Sequence, residues 1–229
     1  MLQLTPVLSL RAMSAFTMGM RAMVIANGDA PSVELLREIG EAADVVYCAD
    51  GGLRHALDAG IMPDAVIGDL DSVTEDLRSR APGVKFHEDR DIDTTDLQKA
   101  IHYGRAQGVD AIDIVAAGGG RADHHLANLS VLTLYGRQLR IRIIDDLFEI
   151  SLVDGEATVD APAGTVVSLV AMGECTGVTT TGMRWDLVDY PLRFSPYGVH
   201  NEIAMRPARV SVATGDLLLF RGRFVERHR

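Results

Sequence analysis

Hydrophobic and polar positions follow two alternating patterns from about residue 21 to residue 146. Short apolar runs, which are typical of buried strands, are separated by longer segments in which apolar residues recur every three or four positions, as in amphipathic helices. The expected strands cover residues 22–27, 44–52, 64–69, 111–120 and 139–146. The expected helices cover residues 33–42, 53–60, 74–80, 93–108 and 123–136. Strands and helices that alternate in this way predict a parallel sheet with helices on both faces.

Polar residues mark the starts of three of these helices. Ser32 is expected to cap the first helix, because its hydroxyl oxygen can accept a hydrogen bond from a free backbone N–H group. Thr95 and Gln98 have the spacing of a capping box at the start of the long helix. Asp123 either caps the last helix or holds the neighbouring Arg121 in place, and the sequence leaves both roles open.

The pattern changes after about Ile150. Short β-type runs such as "TVVSLVAMG" and "ARVSVATGDLLLF" are interrupted by Gly, Pro and Asp, which predicts a small antiparallel sandwich or barrel. The expected fold class is therefore α/β, with an N-terminal parallel-sheet nucleotide-binding domain at 21–148 and a C-terminal antiparallel β-sandwich domain at 149–229. Residues 1–20 are expected to form a flexible N-terminus.

The composition of the chain argues against some classes of binding partner. The chain has 229 residues, of which 47% are hydrophobic, and a formal net charge of −10. General binding to nucleic acids or anionic membranes needs a basic surface, so neither is expected, and no apolar run is long enough to span a membrane. The two cysteines, Cys48 and Cys175, form no disulfide framework or zinc motif, which favours a reducing, cytoplasmic location.

Acidic residues and glycines follow three of the predicted strands. They are Asp50-Gly51-Gly52, the pair Asp69 and Asp71, and Gly118-Gly119-Gly120-Arg121. The carboxyl ends of parallel strands meet at the edge of a sheet where ligands bind, so these groups are expected to lie together. Further acids in the segment 89–96 reach the same edge.

Such a cluster of carboxylates predicts a site for a hard cation, most simply Mg²⁺. Asp69 and Asp71 repel each other unless a cation lies between them, and the loop must curl at Gly68 for both to reach one ion. Mg²⁺ held by carboxylates usually also binds substrate phosphates. The backbone of Gly118–Gly120, the guanidinium of Arg121 and the start of the following helix are expected to bind those phosphates.

Four segments, in this order and spacing, resemble the thiamine pyrophosphokinase family. They are "CADGGLRHALDAGIMPDAVIGDLDSV", "DIDTTDLQKAI", "GGGRADHHLANL" and "GVTTTGMRWDL". The resemblance covers roughly Met23 to Phe220. It implies a homodimer with a site shared between subunits, in which pyrophosphate passes from ATP to the hydroxyl of thiamine and AMP is released.

The resemblance also implies roles for individual residues. Asp69 and Asp71 match the family's metal-binding pair, and Asp96 matches the acid near both metal and thiamine, so the resemblance implies that Asp69, Asp71 and Asp96 are the metal ligands. The catalytic group is then expected to be Asp69, Asp71, Asp96 and Arg121. The ATP site is expected to comprise Asp50, Gly51, Gly52, Arg121, Asp123 and His124. Thiamine is expected to contact Asp96, Thr181, Trp185 and Asn201.

Two positions depart from the family's pattern. His200 stands before Asn201 where serine is usual, and Ile92 replaces a glutamine that some members carry four residues before Asp96. Two other functions also remain open. "DLDSV" fits the nucleophile motif of haloacid-dehalogenase-type phosphatases, in which Asp69 would be phosphorylated and "IIDD" at 143–146 would supply a later acid. A non-catalytic ATP sensor would use the same cleft without forming AMP.

Overall fold

A computed structural model describes residues 19–225, which divide into two compact units. The α/β unit consists of residues 19–131 and 138–146, and the β unit consists of residues 132–137 and 147–225. Of the N-terminus that was predicted to be flexible, residues 1–18 lie outside the described residues. Met20 is already the first residue of strand β1.

The α/β unit alternates strands and helices, as the hydrophobic pattern predicts. Its elements are β1 (Met20–Ile25), α1 (Val33–Glu41), β2 (Val45–Ala49), α2 (Gly52–Asp58), β3 (Ala65–Gly68), α3 (Glu75–Ser79), β4 (Lys85–Glu88), α4 (Asp96–Ala106), β5 (Val109–Val115), α5 (Ala122–Tyr135) and β6 (Arg140–Ile144). The last residues of α5 are assigned to the β unit. The strands lie in the order β6-β5-β1-β2-β3-β4, and every neighbouring pair is parallel. The predicted α/β class is therefore confirmed, whereas β4 was not predicted.

Helices cover both faces of this sheet because successive strand side chains point in opposite directions. On one face, Met23 and Cys48 belong to a buried cluster with residues of α1, α2 and α3. On the other face, the ring of Tyr47 meets Tyr103 of α4 edge-on, with 5.3 Å between ring centroids. Helix α4 packs across β2 and β3 through its buried side, which includes Leu97.

The predicted caps of α1 and α4 are present in the structure, whereas Asp123 does not cap α5. The Ser32 hydroxyl accepts a hydrogen bond from Leu35 N, and Thr95 and Gln98 form the predicted capping box. Asp123 is the second residue of α5 and so does not occupy the cap position, which was one of the two roles left open for it. Its carboxylate binds the side chain of Arg121 instead. No helix within residues 19–225 is long and apolar enough to cross a membrane.

The β unit is antiparallel, as predicted. Its strands are β7 (Phe148–Leu152), β8 (Glu156–Val159), β9 (Thr165–Ala171), β10 (Glu174–Thr181), β11 (Tyr190–Arg193), β12 (Asn201–Glu202), β13 (Ala208–Ser211) and β14 (Leu217–Val225). One group has the order β12-β9-β14-β7 and the other has the order β11-β10-β13-β8. Both groups contribute to one buried cluster, for example through Leu169 of β9 and Val210 of β13.

Candidate active site

A cleft of about 920 Å³ opens at the carboxyl ends of the parallel strands. Strand β1 has β2 on one side and β5 on the other, so the chain order reverses at this point of the sheet. Such reversals leave a crevice between the loops, which is where open α/β sheets bind ligands. Residues that follow β1, β2, β3 and β5 line the cleft together with the start of α4. The expected gathering of strand ends at one edge is therefore confirmed.

Three carboxylates meet in this cleft. Asp50 follows β2, while Asp69 and Asp71 follow the neighbouring strand β3. One oxygen of each lies within 4.8 Å of the other two. The chain curls between the two acids because Leu70, which separates them, takes a left-handed backbone conformation with φ 63°, and Gly68, which precedes Asp69, also has a positive φ of 154°. The predicted curl is therefore present, and Asp71 N donates a hydrogen bond of 3.2 Å to Asp69 Oδ1.

Asp50 is the buried member of this cluster. It is 3% exposed, and its Oδ1 atom has no hydrogen-bond partner among the described residues. Burial raises the pKa of Asp50, the Ser72 hydroxyl opposes the shift, and the charges of Asp96, Asp71 and Asp69 raise it further. A buried carboxylate oxygen without a partner, beside two further carboxylates, suits a divalent cation that prefers oxygen ligands. The donor set therefore fits Mg²⁺. Of the three ligands that were predicted, it contains Asp69 and Asp71 but not Asp96, and it adds Asp50.

Asp96 lies beside this cluster at the first position of α4. The approach is close: a methyl group at Gly68 would lie 2.9 Å from Asp50 Cβ and 3.0 Å from Asp96 Oδ1. Asp96 Oδ1 accepts a hydrogen bond of 3.0 Å from Nζ of Lys99, whose side chain is 4% exposed. Burial alone would lower the pKa of Lys99, but the hydrogen bond and the charge of Asp96 outweigh it, so the pKa is raised and the ammonium group stays charged.

Lys99 was missed by the sequence analysis. It stands three residues after Asp96 within the same helix, which is the spacing at which side chains of one helical face meet. Applied to an acid already predicted to be functional, that spacing would have identified Lys99.

The glycine-rich loop after β5 forms the other side of the cleft. Gly119 N donates a hydrogen bond of 3.3 Å to His125 Nδ1, which ties the loop to the first turn of α5. Arg121 and His124 line the cleft. Arg121 Nε and Nη2 bind the two carboxylate oxygens of Asp123 at 3.1 and 2.6 Å. These hydrogen bonds lower the pKa of Asp123 to about 2, so both members of the exposed pair are charged at neutral pH.

Gly51 and Gly52 pack closely against β1 and the residues that follow it. A methyl group at Gly52 would lie 2.2 Å from Ile25 O, and one at Gly51 would lie 2.5 Å from the Asn27 carboxamide. Only glycine lets the start of α2 approach β1 this closely. These two predicted ATP-site residues therefore position Asp50, which precedes them in the chain.

Three of the residues predicted to contact thiamine lie in the β unit. Thr181 is the exposed last residue of β10. Trp185 N donates a hydrogen bond to Asn201 Oδ1 at 3.2 Å, and Asn201 Nδ2 donates one to Trp185 O at 2.7 Å. The indole is 53% exposed, and the guanidinium of Arg184 lies 4.7 Å from the centre of its ring. The β unit therefore presents an aromatic ring on its surface, on a backbone held by Asn201.

The two positions that depart from the family pattern lie in different units. Ile92 lines the cleft with its side chain exposed to solvent. His200 has a left-handed backbone conformation, with φ 68°, and its N–H group donates a hydrogen bond of 2.9 Å to Ser168 Oγ. The backbone of His200, which precedes Asn201, is therefore tied to Ser168 of β9.

Comparison with protein families gives two matches along the chain. The model described as the catalytic domain of thiamin pyrophosphokinase matches residues 36–144. The model described as the vitamin B1 binding domain of the same enzyme matches residues 155–219. The two matches occur in the same order as the α/β unit and the β unit.

Individual relatives and solved structures agree with these matches. The chain is 31% identical over 181 residues to thiamine pyrophosphokinase of Bacillus subtilis, covering 75% of this chain and 84% of that protein. It is 32% identical over 203 residues to thiamine pyrophosphokinase 2 of Arabidopsis thaliana, covering 76% of this chain and 75% of that protein. The crystal structure of the Bacillus subtilis enzyme superposes with a TM-score of 0.77 at 26% identity, covering 88% of this chain and 98% of that one. The chain therefore belongs to the thiamine pyrophosphokinase family.

Proposed function

We propose that this chain transfers the pyrophosphate group of ATP to the hydroxyl group of thiamine. The hydroxyl oxygen forms a bond to the β-phosphorus, the bond from that phosphorus to the bridging oxygen of the α-phosphate breaks, and AMP leaves. The observation that carries the proposal is the cluster of Asp50, Asp69 and Asp71 in a cleft at the reversal of strand order. Phosphoryl transfer depends mainly on positioning and charge neutralisation, which such a cleft can supply.

The acids divide into two roles in this proposal. Asp50, Asp69 and Asp71 would hold Mg²⁺, because their oxygens lie within 4.8 Å of one another. Bound Mg²⁺ would neutralise the phosphate charge that builds up during transfer. Asp96, at the start of α4, orients the thiamine hydroxyl and accepts its proton. The sequence analysis counted Asp96 among the metal ligands, and the proposal assigns it instead to the acceptor.

The ATP phosphates are proposed to lie against the glycine-rich loop and the start of α5. Arg121 presents an exposed guanidinium fork there, and Asp123 fixes its orientation through two hydrogen bonds. His124 lies beside Arg121 on the cleft wall. The positive end of α5 favours the same phosphate charge.

Thiamine is proposed to contact Thr181, Trp185 and Asn201 in addition to Asp96. The thiazolium ring is a cation, and the exposed face of Trp185 can attract it. We also propose a homodimer in which the site is shared between subunits, with these thiamine-binding residues reaching across the dimer, as the family resemblance implies. A cytoplasmic location is proposed from the two unpaired cysteines.

A product assay tests the proposed reaction. Purified protein is incubated with ATP, thiamine and Mg²⁺, and the products are resolved by mass. AMP and thiamine diphosphate are expected in equal amounts, and both should disappear when a chelator removes Mg²⁺. ADP with thiamine monophosphate would overturn pyrophosphate transfer while leaving the site itself intact.

Substituting Asp71 tests its proposed role as a metal ligand in the transfer reaction. In Asp71→Ala, product formation is expected to fall by roughly 100-fold or more while the protein stays folded. The matched control is Glu41→Ala, which removes an exposed acid at the end of α1. A sensor would bind ATP and form no AMP in either protein.

The phosphatase alternative is not supported by the comparisons. Asp69 follows the third strand of the unit rather than the first, where the nucleophile of such phosphatases usually lies. Asp146, from the segment "IIDD", accepts hydrogen bonds from the backbone and hydroxyl of Ser32. This acid therefore serves to anchor the start of α1.

A further inference from the structure

A buried lysine stands at the edge of the carboxylate cluster. Lys85 and Lys99 are the only lysines among the 22 basic residues of the chain. Lys85 is exposed on β4, whereas Lys99 lies on the buried side of α4 with its side chain 4% exposed. Removing an ammonium group from water costs several kcal/mol unless hydrogen bonds and opposite charge compensate for it. The surroundings of Lys99 supply both.

The compensation comes mainly from one acid. Nζ of Lys99 donates a hydrogen bond of 3.0 Å to Asp96 Oδ1, and the charges of Asp69 and Asp89 act on it from nearby. One oxygen of Asp96 is thus already engaged. The three residues whose oxygens approach within 4.8 Å of one another are Asp50, Asp69 and Asp71, and among the described residues Asp96 is not a member of that group.

Asp96 nevertheless lies close enough to the cluster to be drawn into it. Asp96 Oδ1 and Asp50 Cβ both lie close to Gly68. A Cβ atom placed on this glycine would be 3.0 Å from Asp96 Oδ1 and 2.9 Å from Asp50 Cβ. An unrestrained carboxylate at this distance would turn towards a divalent cation held by its neighbours. The salt bridge with Lys99 is the contact that opposes this rotation.

We propose that Lys99 is a positioning residue that keeps Asp96 out of the cation-binding cluster and presents it to the acceptor hydroxyl. The inference rests on the proposed function, because the acceptor hydroxyl is that of thiamine. Lys99 lines the cleft together with Asp96, and in this proposal its effect on turnover passes through the hydrogen bond to Asp96. Removal of Lys99 then strengthens cation binding and weakens catalysis at the same time.

The test combines cation binding with turnover. In Lys99→Met, the apparent affinity for Mn²⁺, measured by electron paramagnetic resonance without nucleotide, should rise about thirtyfold, the effect of one unit charge at about 4 Å from a divalent cation even in water. The kcat with Mg²⁺, ATP and thiamine should fall about 100-fold, because general-base positioning contributes on that order. Lys85→Met is the matched control, and both quantities should stay at the wild-type values.

A double variant shows whether Lys99 acts through Asp96. Since both substitutions disable the same group, Asp96→Asn and Asp96→Asn/Lys99→Met should have the same kcat within about threefold. A double variant whose loss equals the product of the two single losses would overturn the proposal and give Lys99 its own contact with substrate. Unchanged kcat or unchanged Mn²⁺ affinity in Lys99→Met would overturn it as well.

The design separates this inference from the proposed function. If the wild-type protein forms no thiamine diphosphate, the proposed function fails, while Mn²⁺ binding still decides whether Lys99 restrains Asp96. Methionine fills a similar volume without charge, and Asp96 is partly exposed, so Lys99→Met is expected to fold. If thermal unfolding shows that Lys99→Met does not fold, Asp96→Asn/Lys99→Met, in which both charges are removed, is compared with Asp96→Asn instead.

Discussion

The carboxamide of Asn201 binds both backbone polar groups of Trp185. Its Oδ1 accepts a hydrogen bond of 3.2 Å from Trp185 N, and its Nδ2 donates one of 2.7 Å to Trp185 O. The same Oδ1 accepts a second hydrogen bond, of 2.8 Å, from Glu202 N. One side chain from β12 therefore fixes the backbone from which an exposed indole ring projects.

Replacing Asn201 by alanine should weaken thiamine binding through this contact. Each lost hydrogen bond costs about 1 kcal/mol, so the KM for thiamine in Asn201→Ala is expected to rise roughly tenfold or more. The KM for ATP serves as an internal control and should stay constant. Trp185 is the only tryptophan of the chain, so a fluorescence titration with thiamine reports its position directly. If Asn201→Ala shifted the emission maximum of Trp185 but left the KM for thiamine unchanged, Trp185 would not be part of the thiamine site.

The main elements of the fold could be predicted from the sequence because their periodic patterns are strong. Strand β4 (Lys85–Glu88) could not, since it is a short, largely exposed edge strand without an apolar run. Strand β12 (Asn201–Glu202) has only two residues, which is too short for any period to appear. Strand β11 (Tyr190–Arg193) contains Pro191, which argues against a strand when the sequence is considered alone.

The candidate site was predictable as a group of strand ends but not in its internal contacts. Asp69 and Asp71 are close in sequence, so their pairing could be inferred. Asp50 joins them because β2 and β3 are neighbours in the sheet, and that adjacency is a property of the folded chain. The burial of Asp50, and the lack of a hydrogen-bond partner for its Oδ1 among the described residues, likewise depend on packing around the cleft.

Removing the charge of Asp50 should stabilise the protein while weakening its cation binding. Asp50→Asn removes a buried charge and relieves repulsion from Asp96, Asp71 and Asp69, so without divalent cations its free energy of unfolding should rise by about 1 kcal/mol. Added Mg²⁺ should raise the unfolding temperature of the wild-type protein and have little effect on the variant. Chemical unfolding and calorimetry with and without a chelator measure both effects. Equal gains from Mg²⁺ in the two proteins would remove Asp50 from the cation site.

Arg121 should contribute to ATP binding through the fork shape of its guanidinium group. Arg121→Lys keeps the charge but presents a point-like ammonium group, so the KM for ATP is expected to rise about tenfold. Asp123→Asn weakens the contact that orients Arg121 and should give a smaller rise of the same kind. Steady-state kinetics at saturating thiamine measure both values. If Asp123→Asn raised the KM for ATP more than Arg121→Lys did, Asp123 would act on ATP by itself.

Both cysteines should be unreactive in the folded protein. Cys48 and Cys175 are free and are 0% and 1% exposed, and burial raises the pKa of each thiol. Because the reactive species is the thiolate, a raised pKa reduces its fraction at pH 8, and burial blocks access as well. Ellman's reagent at pH 8 should therefore label no thiol rapidly in the native protein and both thiols in guanidinium chloride. In Cys175→Ala only Cys48 remains, so this variant assigns any residual labelling to one of the two thiols. Rapid labelling of one thiol in the native protein would show that its surroundings open on the timescale of the reaction.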